Sequence, residues 1–340
     1  MAVSLRSERG LLAATHIGNY ALFGGGGADS NSPGTFFNQV DAYNKSLSRS
    51  SAPNLSVARR KLGGTHVGDY ALFAGGECKK SSSSYESSAV VDAYSTALTR
   101  TTPSPMSAVK YTSGGSHINN YALFAGQNAL VEVYDSSLTR LTPIDFGMNA
   151  GNVGGTHIGD YVIFNGGNSN VNTAAYDSSL TKVNITNADN MYMIAATHIG
   201  NYALFGGGNN YPPYGKVNTY DASLTKSDAP EFGAYYQLFA GAAHSNTHAI
   251  FFGGNTGNSQ TARMIFYDES LTKSSPVSLS DSGYLMQGTN VGDFTLLGGF
   301  SSKSTIDVVY TISRGTSIAK KILNSVYVGI ILAEDKIVRV

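Results

Sequence analysis

One motif recurs from end to end of this chain, and a chain assembled from copies of one motif folds as copies of one unit. The copy Gly63-Gly64-Thr65-His66-Val67-Gly68-Asp69-Tyr70-Ala71-Leu72-Phe73-Ala74-Gly75-Gly76 is echoed by Ala14-Thr15-His16-Ile17-Gly18-Asn19-Tyr20-Ala21-Leu22-Phe23 near the start. It is echoed again by Thr289-Asn290-Val291-Gly292-Asp293-Phe294-Thr295-Leu296-Leu297-Gly298-Gly299 near the end. Its histidine falls at His16, His66, His117, His157, His198 and His244, and Asn290 takes that place in the last copy. The interval is roughly 40–50 residues, enough for one unit of several short strands.

Each unit reads as four strands. The first ends in Thr-His-Ile or a close variant, and a two-residue turn such as Gly68-Asp69 or Asn119-Asn120 follows. Gly and Asn accept the positive φ that tight hairpin turns require. The second strand is Tyr-Ala-Leu-Phe or similar and commonly ends in a glycine pair. The third ends in Tyr, as in Val40-Asp41-Ala42-Tyr43 and Val91-Asp92-Ala93-Tyr94. The fourth is read at Ser-Leu-Thr, as in Ser137-Leu138-Thr139. Pairs such as Gly63-Gly64, Gly114-Gly115 and Ala195-Ala196 precede the histidine, so the first strand belongs where strands crowd an axis. Hairpin register sets His16 opposite Ala21 and Ile17 opposite Tyr20, with both faces apolar or aromatic, as for a sheet sandwiched between neighbours.

The expected fold is therefore all-β: a seven-bladed β-propeller of four-stranded antiparallel blades spanning residues 1–314. The last unit lacks a Ser-Leu-Thr strand, and Val3-Ser4-Leu5-Arg6-Ser7 looks like the missing piece. Residues 2–8 are thus expected to complete the seventh blade and close the ring. Paired glycines after strand two and Tyr-Asp after strand three, at this period, resemble Kelch repeats, a family of β-propellers. The Trp usual in that family's fourth strand is replaced by Leu (Leu47, Leu98, Leu138, Leu180, Leu224, Leu271), and the chain has no Trp, which marks a divergent subgroup. Residues 315–340 leave the pattern. Their Ala319-Lys320-Lys321 and Tyr327-Val328-Gly329 are weakly similar to segments of phage tail and prophage structural proteins, which implies a phage or prophage context and a virion or tail partner.

Charge narrows the function. A net charge of zero with 14% charged residues leaves no basic surface for nucleic acid. No stretch approaches the ~18 apolar residues of a membrane span, so no membrane insertion is expected. The N-terminus lacks the apolar run of a signal peptide, so the chain reads as cytoplasmic when synthesised, with virion association as the further expectation. Cys78 lies in a Ser/Lys-rich stretch with no base beside it and reads as an incidental thiol. One histidine per blade reads as too widely spaced to share an ion, since zinc–nitrogen bonds are ~2.0–2.1 Å, so the histidines read as structural hydrogen-bonding groups and no metal or other cofactor is expected. His244 and His248 flank a turn and point to opposite faces. The carboxylates Glu77, Glu86, Glu231 and Asp281 read as scattered, solvated loop charges without a partner for acid/base work. The glycine pairs lead into strands, not helices, so no phosphate loop is present.

Recognition is the better expectation. Connections from strand two to three, and from strand four to the next strand one, share one face of a propeller, and here they are the segments that vary. They carry Phe36, Phe37, Arg59, Arg60, Tyr85, Lys110, Tyr111, Tyr192, Tyr211, Tyr214 and Tyr284 as candidate ligand-binding residues. Tyr among Ser, Gly and Asn suits a recognition surface. The function read here is non-enzymatic binding of a cell-surface glycan or protein through the loop face. The alternative, implied by the Kelch resemblance, is a sugar-modifying enzyme of mutarotase or epimerase type with acid/base groups in the central opening. A copper–radical oxidase of that resemblance would need a Cys–Tyr cross-link and non-repeat His ligands, for which only Cys78 and His248 are available.

Overall fold

Each repeat pairs with itself before it meets its neighbours. The strand Ala13–Ile17 turns at Gly18 (φ 53°) into Tyr20–Gly24, with His16 opposite Ala21 and Ile17 opposite Tyr20. Strand three, Val40–Asn44, adds to Tyr20–Gly24, and a short fourth strand, Arg49–Ser51, completes the sheet. The structure, a computed structural model, describes residues 3–28, 34–81, 84–109, 112–167, 172–189, 192–209, 215–232, 241–255, 259–283, 286–300, 304–311, 317–322, 327–332 and 337–339. Among them this antiparallel order recurs in seven sheets, six of four strands and a last one of six.

The first strands pack side by side. Each touches the first strand of the next sheet, and Gln287–Val291 returns to Ala13–Ile17, so the sequence of contacts closes on itself. Their approach explains the small residues: a Cβ added to Gly115 would sit 2.5 Å from the carbonyl oxygen of Gly64, inside contact distance. The protein is an all-β propeller. Its core lies between successive sheets, as where Leu22 and Ala42 of the first meet Phe73 and Tyr94 of the second.

Buried tyrosines staple each sheet to the segment before it. The hydroxyls of Tyr94, Tyr134, Tyr176 and Tyr220 donate to the carbonyls of Pro53, Ser104, Asp145 and Thr186 at 2.6–3.0 Å. Tyr43 donates to Ser4 in the same way at 2.5 Å. Burial pushes these phenols above their ordinary value, so they remain donors. Ser4 thus stands where Pro53 and its counterparts stand. Leu5 N–H donates to Ser304 as Leu55 does to Asn38 and Met106 to Ala89, and Ser4 bridges Thr305. Val3 and Leu5 join the cluster between the last sheet and the first. Two segments share that outer edge, because the strand Ser317–Ile322 pairs along Asp307–Thr311 and is followed by Tyr327–Leu332 and Ile337–Arg339.

The Ser-Leu-Thr segment is not a strand. Leu47, Leu98, Leu138, Leu180, Leu224 and Leu271 all lie at φ near +60° in a turn, and the fourth strand is the short stretch after it. The preceding carboxylate holds this uncommon conformation: Asp135 Oδ1 accepts from the backbone N–H of Ser137 and Thr139, and Asp177, Asp221 and Asp268 repeat the arrangement. A leucine in the left-handed region stores strain, and two side-chain-to-backbone bonds offset it in each copy, charge-assisted where the acceptor is Asp and neutral at Asn44 and Ser95.

Candidate functional site

The first strands alternate buried and half-buried positions, and the half-buried ones include the histidines, which line a central cavity of about 780 Å³. Successive imidazoles touch. Ring centroids from His16 through His66, His117, His157 and His198 to His244 are 4.3, 3.9, 4.5, 4.2 and 4.1 Å apart. Neighbouring rings thus lie closer together than one residue per blade suggests, because side chains projecting inward from converging strands meet their own copies. The structure corrects the expected role as hydrogen-bonding struts. Among the described residues only His198 of the ring has a protein partner for a ring nitrogen, Thr156 Oγ1 at 3.3 Å. Burial, joined by the neighbouring rings, holds these groups below the ordinary histidine range: His66 at about 3, His117 at about 2 and His244 at about 4. The ring is therefore neutral at pH 7. Among the described residues, no set of three or more His, Cys, Asp or Glu is placed to hold a metal ion. His244 pairs with Ala249 across its hairpin, and His248 turns away to pack edge-on against Phe266.

The rim of the cavity is built differently. Arg59–Arg60, Glu77–Lys79 and Tyr85–Ser87 form a small sheet of their own. Arg60 is 2% exposed, and its guanidinium lies 4.7 Å from the Phe36 ring centroid and 5.3 Å from that of Tyr85. Its Nε meets Glu77 at 3.1 Å, while Lys61 Nζ reaches the other Glu77 oxygen at 2.9 Å. Glu77 was expected in solvent; it is instead 3% exposed and doubly ion-paired, because the small sheet folds it under the rim. Glu86 and Glu231 are exposed, and Asp281 is half-buried and accepts from Thr305. Cys78 lies within this sheet rather than in a loose loop, with its thiol pushed up by burial.

Of the residues expected to bind a ligand, Phe36, Arg60 and Tyr85 come together as one stack, with Phe37 half-buried beside it on the same connection. Arg59 points elsewhere. It is fully buried, donates to the carbonyls of Gly75 and Val90 and pairs with Asp92, so it holds the fold. Lys110, Tyr111, Tyr211, Tyr214 and Tyr284 lie outside the described residues, as does the side chain of Tyr192 at the start of Tyr192–Ile199. The residues that sequence reasoning passed over are Lys61, Asn152, Asn255 and Gln287, which line the cavity with Glu77 and Tyr85. Their single copies carried no repeat signal. Asn255 Oδ1 is buried there without a partner.

Asp92 belongs to a set. At the same register Asp41, Glu132, Asn218 and Asp307 are also buried, opposite Phe23, Phe124, Phe205 and Leu297 of strand two. Each grips the connection that enters its sheet: Asp41 holds Arg9, Glu132 the Ser107 backbone, Asn218 the Asp189 backbone and Asp307 the Ser280 backbone. These clips hold the entering connections, and the rim they form, in place.

No family profile matches the sequence, and no curated protein matches it. Among solved structures the chain is similar to YjhT, a β-propeller, at 10% identity and a TM-score of 0.54, over 91% of this chain and 96% of that one. At this identity the likeness bears on the fold alone. No helix among the described residues is long and apolar enough to cross a membrane.

Proposed function

We propose that this protein is a non-enzymatic recognition module that binds a surface glycan, or a protein, where the loop face meets the central cavity. One observation carries the reading. Among the described residues the exposed large apolar side chains are Val57, Tyr85 and Val109, at 39%, 51% and 54%, and all three lie on connections of that face. Exposed apolar groups gathered on one face mark interaction sites. The cavity beside them has the size of a small-ligand site, and its amides and hydroxyls suit a saccharide. The sugar-modifying alternative has less to work with: among the described residues Glu77 is the single carboxylate lining the cavity, and two cations hold it. The similarity of residues 315–340 to phage tail segments supports a virion or tail partner for that end.

A glycan array probed with the wild-type protein and with Tyr85→Ala tests this. Binding to a defined glycan set that drops at least tenfold in the variant is the expected result. No binding on the array or to intact cells would overturn it, and accelerated anomerisation of a free sugar would favour the enzyme.

A further inference from the structure

The histidine ring has more hydrogen-bonding capacity than the protein uses. Each neutral imidazole carries one N–H donor and one acceptor. Among the described residues one nitrogen of the six rings has a protein partner, and all six histidines line the cavity. Asn290, in the seventh place, has a buried Oδ1 without a partner, and the Thr197 hydroxyl, next to His198 in its strand, also lacks one. Buried polar groups are seldom left so, although Arg9, Arg59, Arg140 and Asn165 carry further unpartnered atoms elsewhere in the fold.

Orientation follows from the angles. Successive ring planes turn by 48°, 44°, 57°, 49° and 39°, close to the step of a seven-membered ring, so the imidazoles stand parallel to the axis with an edge inward. Seven positions at that spacing put the centroids roughly 5 Å from the axis and the inner edges roughly 1 Å nearer, as suits a propeller's central channel. That is too wide for several imidazoles to share one metal ion at ~2.0–2.1 Å. It is longer than the ~2.7–3.2 Å span of N–H···O bonds, a gap that an acceptor larger than oxygen narrows. Charge agrees, since the one lining carboxylate among the described residues, Glu77, is already matched by Arg60 and Lys61.

We propose that the ring binds a monovalent anion of halide size on the propeller axis, held by converging imidazole N–H groups of His16, His66, His117, His157, His198 and His244. The ring lines the same cavity whose rim is proposed for recognition, but bromide binding is measured without any glycan, so either reading can fail alone. Neutral imidazoles choose their tautomer, so all can present a donor inward without adding charge.

Crystals of the wild-type protein grown in sodium bromide test the site directly: an anomalous peak on the axis, against at least three imidazoles, is expected. In solution, melting temperature in 0.2 M bromide is compared with 0.2 M gluconate, which is too large for the ring. Bromide is ordinarily no stabiliser of folded proteins, so a rise of about 2–3 °C would report specific binding to the native state. His117→Leu should lose most of that rise. Should this variant not fold, the wild-type crystal and salt comparison still decide. No axial peak, or an axial peak without any rise in bromide, overturns the proposal; the latter is binding at crystal concentration only.

Discussion

The wall of the cavity and the rim above it use ionisable residues in opposite ways. On the wall, six histidines stay half-buried, neutral and almost without protein partners. On the rim, Arg59, Arg60 and Glu77 are nearly or fully buried, charged and closely paired. The reason is symmetry. A side chain repeated around an axis meets its own copy, and like charges ~4 Å apart in a protein environment repel by about 4 kcal/mol. Only groups that tolerate themselves, neutral rings and small residues, can occupy the axis. Farther out, a strand-three carboxylate meets a different residue from the incoming connection, so charge can be matched there.

The contrast can be broken in several places, beginning with the ring itself. Deleting residues 2–8 removes buried Val3 and Leu5 and the Tyr43–Ser4 staple, and fully burying such side chains contributes ~1.5–3 kcal/mol each. Loss of several kcal/mol in urea unfolding, with a sharply lower melting temperature, is expected; an unchanged midpoint would mean that the wall does not need this closure. Next comes Asp92→Ala, which strands the fully buried Arg59 and should cost about 3–5 kcal/mol. Restoration of much of that loss by adding Arg59→Leu would show that the rim's charges depend on pairing, and a cost under about 1 kcal/mol for Asp92→Ala would contradict the contrast.

The wall's signature is its pH dependence. Unfolded histidines take up protons near pH 6.5, whereas folded His66, His117 and His244 remain neutral until about pH 4 or below. The unfolded state therefore binds more protons in that window, and stability falls as pH drops through 6.5 and onward to about 4. Each such group contributes a slope of up to about 1.4 kcal/mol per pH unit. His117→Asn, which copies the amide of Asn290, should flatten the curve by about one group's share; identical slopes for wild type and variant would count against a neutral ring. The smallest effect on stability belongs to Tyr85→Ala. With half of Tyr85 exposed, the unfolding midpoint should move by no more than about 0.5 kcal/mol while glycan binding falls. A large stability loss would instead make Tyr85 part of the rim's packing.

Much of the blade was legible because its determinants are local. Turn residues, the Tyr-Ala-Leu-Phe strand and the small residues before each histidine set the hairpin register that the structure shows, down to His16 opposite Ala21. The Ser-Leu-Thr turn was misread because alternation alone does not reveal a leucine at positive φ; the signal was the Asp or Asn before it, whose side chain caps the turn. The candidate site was legible only in part. Phe36, Arg60 and Tyr85 were found as members of variable connections, but nothing in their spacing distinguished Arg60, stacked at the rim, from its neighbour Arg59, sunk beneath it.

What the sequence determined by itself is most of the unit: its first three strands, their pairing, and which strand lies innermost, since these depend on residues close together in the chain. Tertiary structure decided everything that depends on distance across units. It brought histidines 50 residues apart to within about 4 Å, folded Glu77 beneath the rim between two cations, and turned Arg59 inward to Asp92. Those distances follow from the number of sheets and the radius they enclose, which no single repeat encodes.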